Sequence, residues 1–70
     1  MNLDYAKNKI IENVGIKHHF LFKGSRNQID EFYGKIVKCF PSVFIIELEN
    51  GVIRSFSYND FIINNLKIVS

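Results

Sequence analysis

Two hydrophobic periods divide the chain. Leu3, Ala6, Ile10 and Val14 recur at a three-to-four spacing, with Tyr5 and Ile11 at the margins. That period predicts an amphipathic helix within residues 1–15. Asn2 is a candidate N-cap, and Asp4 falls in the first turn, where the helix dipole favours an anion. Gly15 is the natural stop, because a left-handed C′ residue costs glycine little. So short a helix is marginal in water alone, so its apolar stripe must pack on something else.

From Ile16 the pattern turns strand-like. "IKHHFLFK" is rich in aromatic and branched residues and runs into the polar stretch "GSRNQ". "IDEFYGKIVKCF" follows as a second strand-forming run, interrupted by Gly34. An isolated glycine inside a strand predicts a bulge or tight bend there. Pro41 closes the run, since it cannot donate to a central ladder.

"SVFIIELE" and "VIRSFSY" flank Asn50-Gly51, a strong short hairpin signal. A two-residue type I′ loop would set Glu49 against Val52 and Glu47 against Arg54, an opposite-charge pair across the strands. Phe44, Ile46 and Leu48 are then expected inside, because the other set of alternating positions ends in Glu47. Their neighbours in that register would be Ile53, Ser55 and Ser57, a thin lining for a core. The face of Val43, Ile45, Phe56 and Tyr58 therefore stays open as an alternative, and a three-residue loop would change the pairing altogether. "NDF" after Tyr58 suggests one helical turn, and "LKIV", entered through Asn64-Asn65, a short last strand.

The tally is one domain over residues 1–70: a helix within 1–15, then five meandering strands over 16–70. That order predicts a mainly β fold, a small five-stranded SH3-like or Sm-like barrel preceded by a short helix. Closing such a barrel would bury one face of each strand and remove most free edges.

Composition supports a folded domain near the lower size limit. Seventy residues rarely hold a large core, but seven Phe and three Tyr supply much buried area per residue. The formal charge of +2 is uneven. Residues 1–38 hold seven Lys/Arg against four Asp/Glu, and residues 39–70 two against three. This tilt permits a weakly basic face without demanding a polyanion partner. Cys39 stands alone, which excludes an intrachain disulfide and a cysteine zinc site and suits a reducing cytoplasm. No stretch approaches the ~20 apolar residues of a membrane span, and no signal peptide pattern opens the chain. A cytoplasmic protein is expected.

Catalytic and metal chemistry find little support. His18 and His19 are adjacent in a strand and point to opposite faces, so they cannot share one metal within the chain. Glu47 and Glu49 share a strand face but sit beside the hairpin tip, where they are solvated. No nucleophile triad, phosphate loop or metal motif is present, so no enzyme and no cofactor is expected. The loop Lys23–Gln28 is the better candidate. Lys23 and Arg26 can meet phosphate oxygens, and Asn27 can read base edges. Lys17, Lys35 and Lys38 would extend that surface, with Phe32 or Tyr33 as a stacking platform. So few cations bind weakly, and salt would erase the binding.

At "FPSVFIIELENG" and "SFSY" the sequence resembles the Veg family, small proteins of Firmicutes and related bacteria described as biofilm-formation stimulators. Phe40 takes the place of a Tyr, then Pro41, Ser42, Val43 and Phe44 match. Ile45 replaces Val, and Ile46, Glu47 and Leu48 match again. Ser55, Ser57 and Tyr58 fit the second stretch with Phe56 for Tyr, and Asp60, Phe61 and Ile62 continue it. Gly24, Arg26 and Gly34 fall where the family has a glycine-arginine loop and a later glycine. The likeness covers residues 16–69. It implies a non-enzymatic regulatory module, linked to gene regulation or biofilm formation through protein partners, with nucleic acid as the weaker alternative and a homo-oligomer left open. Asn27 and Gln28 stand where the family's loop is basic, which thins the charge that a polyanion would need.

Overall fold

The computed structural model describes residues 3–24 and 28–69. Among them the order is α1 (Leu3–Glu12), β1 (Lys17–Lys23), β2 (Ile29–Cys39), β3 (Val43–Leu48), β4 (Ile53–Ser57), α2 (Tyr58–Ile62) and β5 (Leu66–Ile68). All five strands form one antiparallel sheet in the order β4-β3-β2-β1-β5. The fold is mainly β, as the residue pattern predicts.

The expected barrel does not close. β4 and β5 are the two edges of the sheet, with no ladder between them. The chain leaves β4 at Ser57, which caps α2: its side chain accepts from the Asp60 N–H, and the Asp60 carboxylate accepts from the Ser57 N–H. β5 adds only three residues. Across the inner face, the rings of Phe22 on β1 and Phe56 on β4 lie 5.1 Å apart.

The core lies on the inner face, under the two helices. Phe20, Ile36, Phe44, Ile46, Phe56, Tyr58 and Leu66 are buried there with Ala6 and Ile10 of α1. The helical stripe is narrower than its period predicts, since Leu3 and Val14 are exposed. The reason is local. α1 stops at Glu12, Gly15 turns with φ +82°, and its N–H donates to the Ile36 carbonyl at 2.8 Å. The end of the helix is thereby drawn onto β2, and Val14 leaves the stripe. The predicted N-cap, Asn2, lies outside the described residues.

Two expectations about the strands are corrected. The β3–β4 loop holds three residues, not two, between the Leu48–Val52 closing pair, so Ile46 faces Arg54 and Glu47 faces Ile53. Only Gly51 takes a positive φ (+85°), whereas a type I′ turn needs one at Asn50 as well. The Asn50 Oδ1 instead accepts from the Val52 N–H at 3.1 Å, and the Gly51 N–H donates to the Leu48 carbonyl. The shift puts Phe56 across from Phe44 and solves the thin lining. Val43 and Ile45 lie on the outer face. The bulge, meanwhile, sits between Ile36 and Lys38, not at Gly34. Gly34 serves a close approach: a Cβ there would come within 2.6 Å of the Glu47 carbonyl oxygen.

A candidate partner-binding face

The ladder registers fix which side chains share the outer face. One row crosses four strands as Lys17, Lys35, Glu47 and Ile53, and the next joins His19 to Tyr33. The His19 and Tyr33 rings stack at 4.5 Å with an interplanar angle of 16°. Lys17 Nζ lies 5.9 Å from the Tyr33 ring centroid and also pairs with the Glu49 carboxylate. His19 Nε2 is 3.8 Å from Glu31 Oε1. Tyr33 is thus held between His19 and Lys17 yet keeps 51% of its surface exposed. Val37 and Ile53 are exposed as well.

Lys17, Lys35, Glu47 and Glu49, together with Gly34 and Leu48, line a shallow depression of about 670 Å³. Its rim carries both signs of charge. A polyanion laid along it would meet Glu47 and Glu49 beside each lysine, so the field of a phosphate-binding groove is missing. A protein surface with its own mixture of charges meets no such penalty.

The candidate cations are only partly gathered. Lys17 and Lys35 face each other across β1 and β2. Lys23 ends β1, six residues or roughly 20 Å along the strand from Lys17. Its backbone N–H donates to Asn65. Lys38 lies beyond the bulge, with its Nζ 5.2 Å from the Phe40 ring centroid. Arg26 and Asn27 lie outside the described residues. Of the two suggested platforms, Tyr33 is on the outer face, while Phe32 stacks inward on Phe20 and Phe56. His18 and His19 do point to opposite faces: the His18 ring shares a hydrogen bond with Asn13 Oδ1 at 2.7 Å and meets Phe20 edge-on. Among the described residues no group of three His, Cys, Asp or Glu side chains is placed to hold a metal ion.

Sequence reasoning missed the Arg54 cluster. Its guanidinium carbon lies 5.0 Å from the centroids of Phe32 and Phe56 and 5.7 Å from that of Phe22, with Asp30 at 4.0 Å. The signal was the loop length, because only the three-residue loop turns Arg54 to the inner side.

The two segments that carry the family likeness meet in space. Phe40 to Val43 form the β2–β3 turn, and Tyr58 closes over it through its hydroxyl and its backbone N–H. The family model of the biofilm formation stimulator VEG matches residues 1–69. The chain belongs to the VEG family. A search of the curated proteins returns no significant match. The VEG description names a stimulator of biofilm formation. No helix among the described residues of this VEG-family chain is long and apolar enough to cross a membrane.

Proposed function

We propose that this VEG-family chain is a small regulatory protein that stimulates biofilm formation by binding another protein through the outer face of its sheet. The observation that carries the reading is Tyr33. Its ring is half exposed but already fixed by the His19 stack and flanked by the Lys17–Glu49 pair. A pre-ordered aromatic side chain loses little entropy on binding and offers a large contact area, which is how aromatic hot spots work. The paired charges around it would form the polar rim. We place the binding event in the cytoplasm, where the free thiol of Cys39 is stable.

Complementation tests this reading. In a biofilm-forming bacterium that lacks its own VEG-family gene, the wild-type chain should restore biofilm mass. Tyr33→Ala and Val37→Glu should not, while circular dichroism shows both folded. Full restoration by both variants would refute binding through this face.

Lys17 above Tyr33 with Lys35 beside it supports a second reading, a weak RNA or DNA contact. Binding of single-stranded or duplex probes at low salt, lost in the Lys17→Ala, Lys35→Ala double variant, would favour it over the first.

A further inference from the structure

The open sheet leaves one strand edge unguarded. The Leu48 N–H donates to the Val52 carbonyl, whereas the Val43 carbonyl accepts from Phe40 on the other side. Even-numbered residues of β3 therefore bond to β4, and Ile46 and Phe44 engage Arg54 and Phe56. By the same alternation, the N–H and C=O groups of Ile53 and Ser55 point off the sheet. At Ser57 the outward N–H is already taken by the Asp60 carboxylate. Natural sheets protect such edges with lysine, proline, a bulge or a very short strand. β5 has two of these, three residues and Lys67. β4, "IRSFS", has none on its outer face and no bulge in its pairing.

We propose that two copies of this chain associate through β4, antiparallel about a two-fold axis at Ile53, joining two sheets into one. The register follows from donors, acceptors and charge. With the axis at Ile53, that residue exchanges two hydrogen bonds with its own counterpart, and each Ser55 N–H reaches the counterpart of the Gly51 carbonyl. Val52 then lies beside the counterpart of Arg54, whose charge is drawn back onto three phenylalanine rings. Ile53 and Val52, 55% and 49% exposed in the single chain, are covered together. Moving the axis to Arg54 would make as many hydrogen bonds but oppose the two arginines, which is destabilising. The interface is small, in the weak class below about 1,200 Å². The association is an addition to the proposed protein contact at Tyr33: it runs along the backbone edge of β4 and takes Ile53 from the outer face, but it does not involve Tyr33.

Sedimentation velocity on the whole chain from about 10 µM to about 1 mM tests it. The wild type should shift from monomer towards dimer as concentration rises. Ser55→Pro removes an outward N–H that the monomer does not use, and Ile53→Lys sets two cations together at the axis. Both should stay monomeric at every concentration with unchanged circular dichroism, and Tyr33→Ala should dimerise like the wild type. A wild type that remains monomeric, or a dimer that persists in folded Ser55→Pro and Ile53→Lys, overturns the proposal. Either outcome leaves the reading of Tyr33 to its own test.

Discussion

The hydroxyl of Tyr58 donates to the Phe40 carbonyl at 2.8 Å, eighteen residues back along the chain. The bond ties the first turn of α2 to the β2–β3 turn, where the Phe40 N–H donates to the Val43 carbonyl and the Ser42 carbonyl accepts from the Tyr58 N–H. Tyr58→Phe leaves that part-buried carbonyl without its partner. The expected cost is about 1–2 kcal/mol, seen as a lower urea midpoint with an unchanged slope. Tyr58→Ala also empties a buried ring site, and its cost should reach about 3–5 kcal/mol.

The same phenol makes stability fall in alkali. Burial, with the Cys39 thiol beside it, raises the pKa of Tyr58 above its ordinary 10.0. The unfolded chain therefore gives up this proton at a lower pH than the folded one does. The stabilisation is complete below the unfolded value and is lost as pH rises through the folded one. Urea midpoints taken from about pH 8 to about pH 12 should decline more steeply for the wild type than for Tyr58→Phe. Parallel declines would remove Tyr58 as the cause.

Gly34 is a steric requirement without a positive φ. A β-carbon there would meet the Glu47 carbonyl oxygen at 2.6 Å and Ile46 Cγ2 at 3.0 Å. The nearer atom is backbone, held in the β2–β3 ladder. Relief would need the two strands to part, so Gly34→Ala should cost about 2–3 kcal/mol by thermal or urea denaturation. Gly24→Ala, with no neighbour closer than 3.7 Å, is the matching control and should cost less.

Element types and order were legible in the residue pattern because each period is local. The N-terminal helix, the change at Ile16, the turn at Pro41 and the hairpin at Asn50-Gly51 all appear where the pattern puts them. Register was not legible. Whether Asn50 enters the left-handed region or uses its side chain to hold the Val52 N–H is a small difference in free energy, and it moves every pair on β4 by one residue. Closure of the sheet was illegible for a related reason: it depends on the length of β5 and on where Ser57 caps α2. At the candidate face, sequence pointed to Lys17 and Lys35 but not to the Glu49 pair or the His19–Tyr33 stack, which exist only once strands align.

Arg54 shows what that one-residue shift produces. Its guanidinium lies over three phenylalanine rings at the open end of the inner face, and Asp30 stands at 4.0 Å. A planar cation covers such rings better than an ammonium does. Arg54→Lys should lower stability by about 0.5–1 kcal/mol, and Arg54→Ala by more because the stem packing goes too. The contact with Asp30 is long and solvated, so added salt should recover little of either loss. A large salt effect in the wild type, absent from Arg54→Lys, would instead put the ion pair in charge.

The acids interleaved with Lys17 and Lys35 make the strongest prediction about partners. Glu47 faces Lys35 across the ladder and Glu49 pairs with Lys17, so an acid stands beside each lysine. Fluorescence anisotropy at low salt should therefore find only weak binding of single-stranded RNA or duplex DNA to the wild type, and the same weak binding after Lys17→Ala, Lys35→Ala. Reversing the acids in Glu47→Lys, Glu49→Lys should create binding with a steep salt dependence, because four cations would then line one depression. If the wild type already binds with such a slope, and the double alanine variant loses it, the acids do not govern this face. The protein-binding reading of Tyr33 would then give way to a nucleic-acid one.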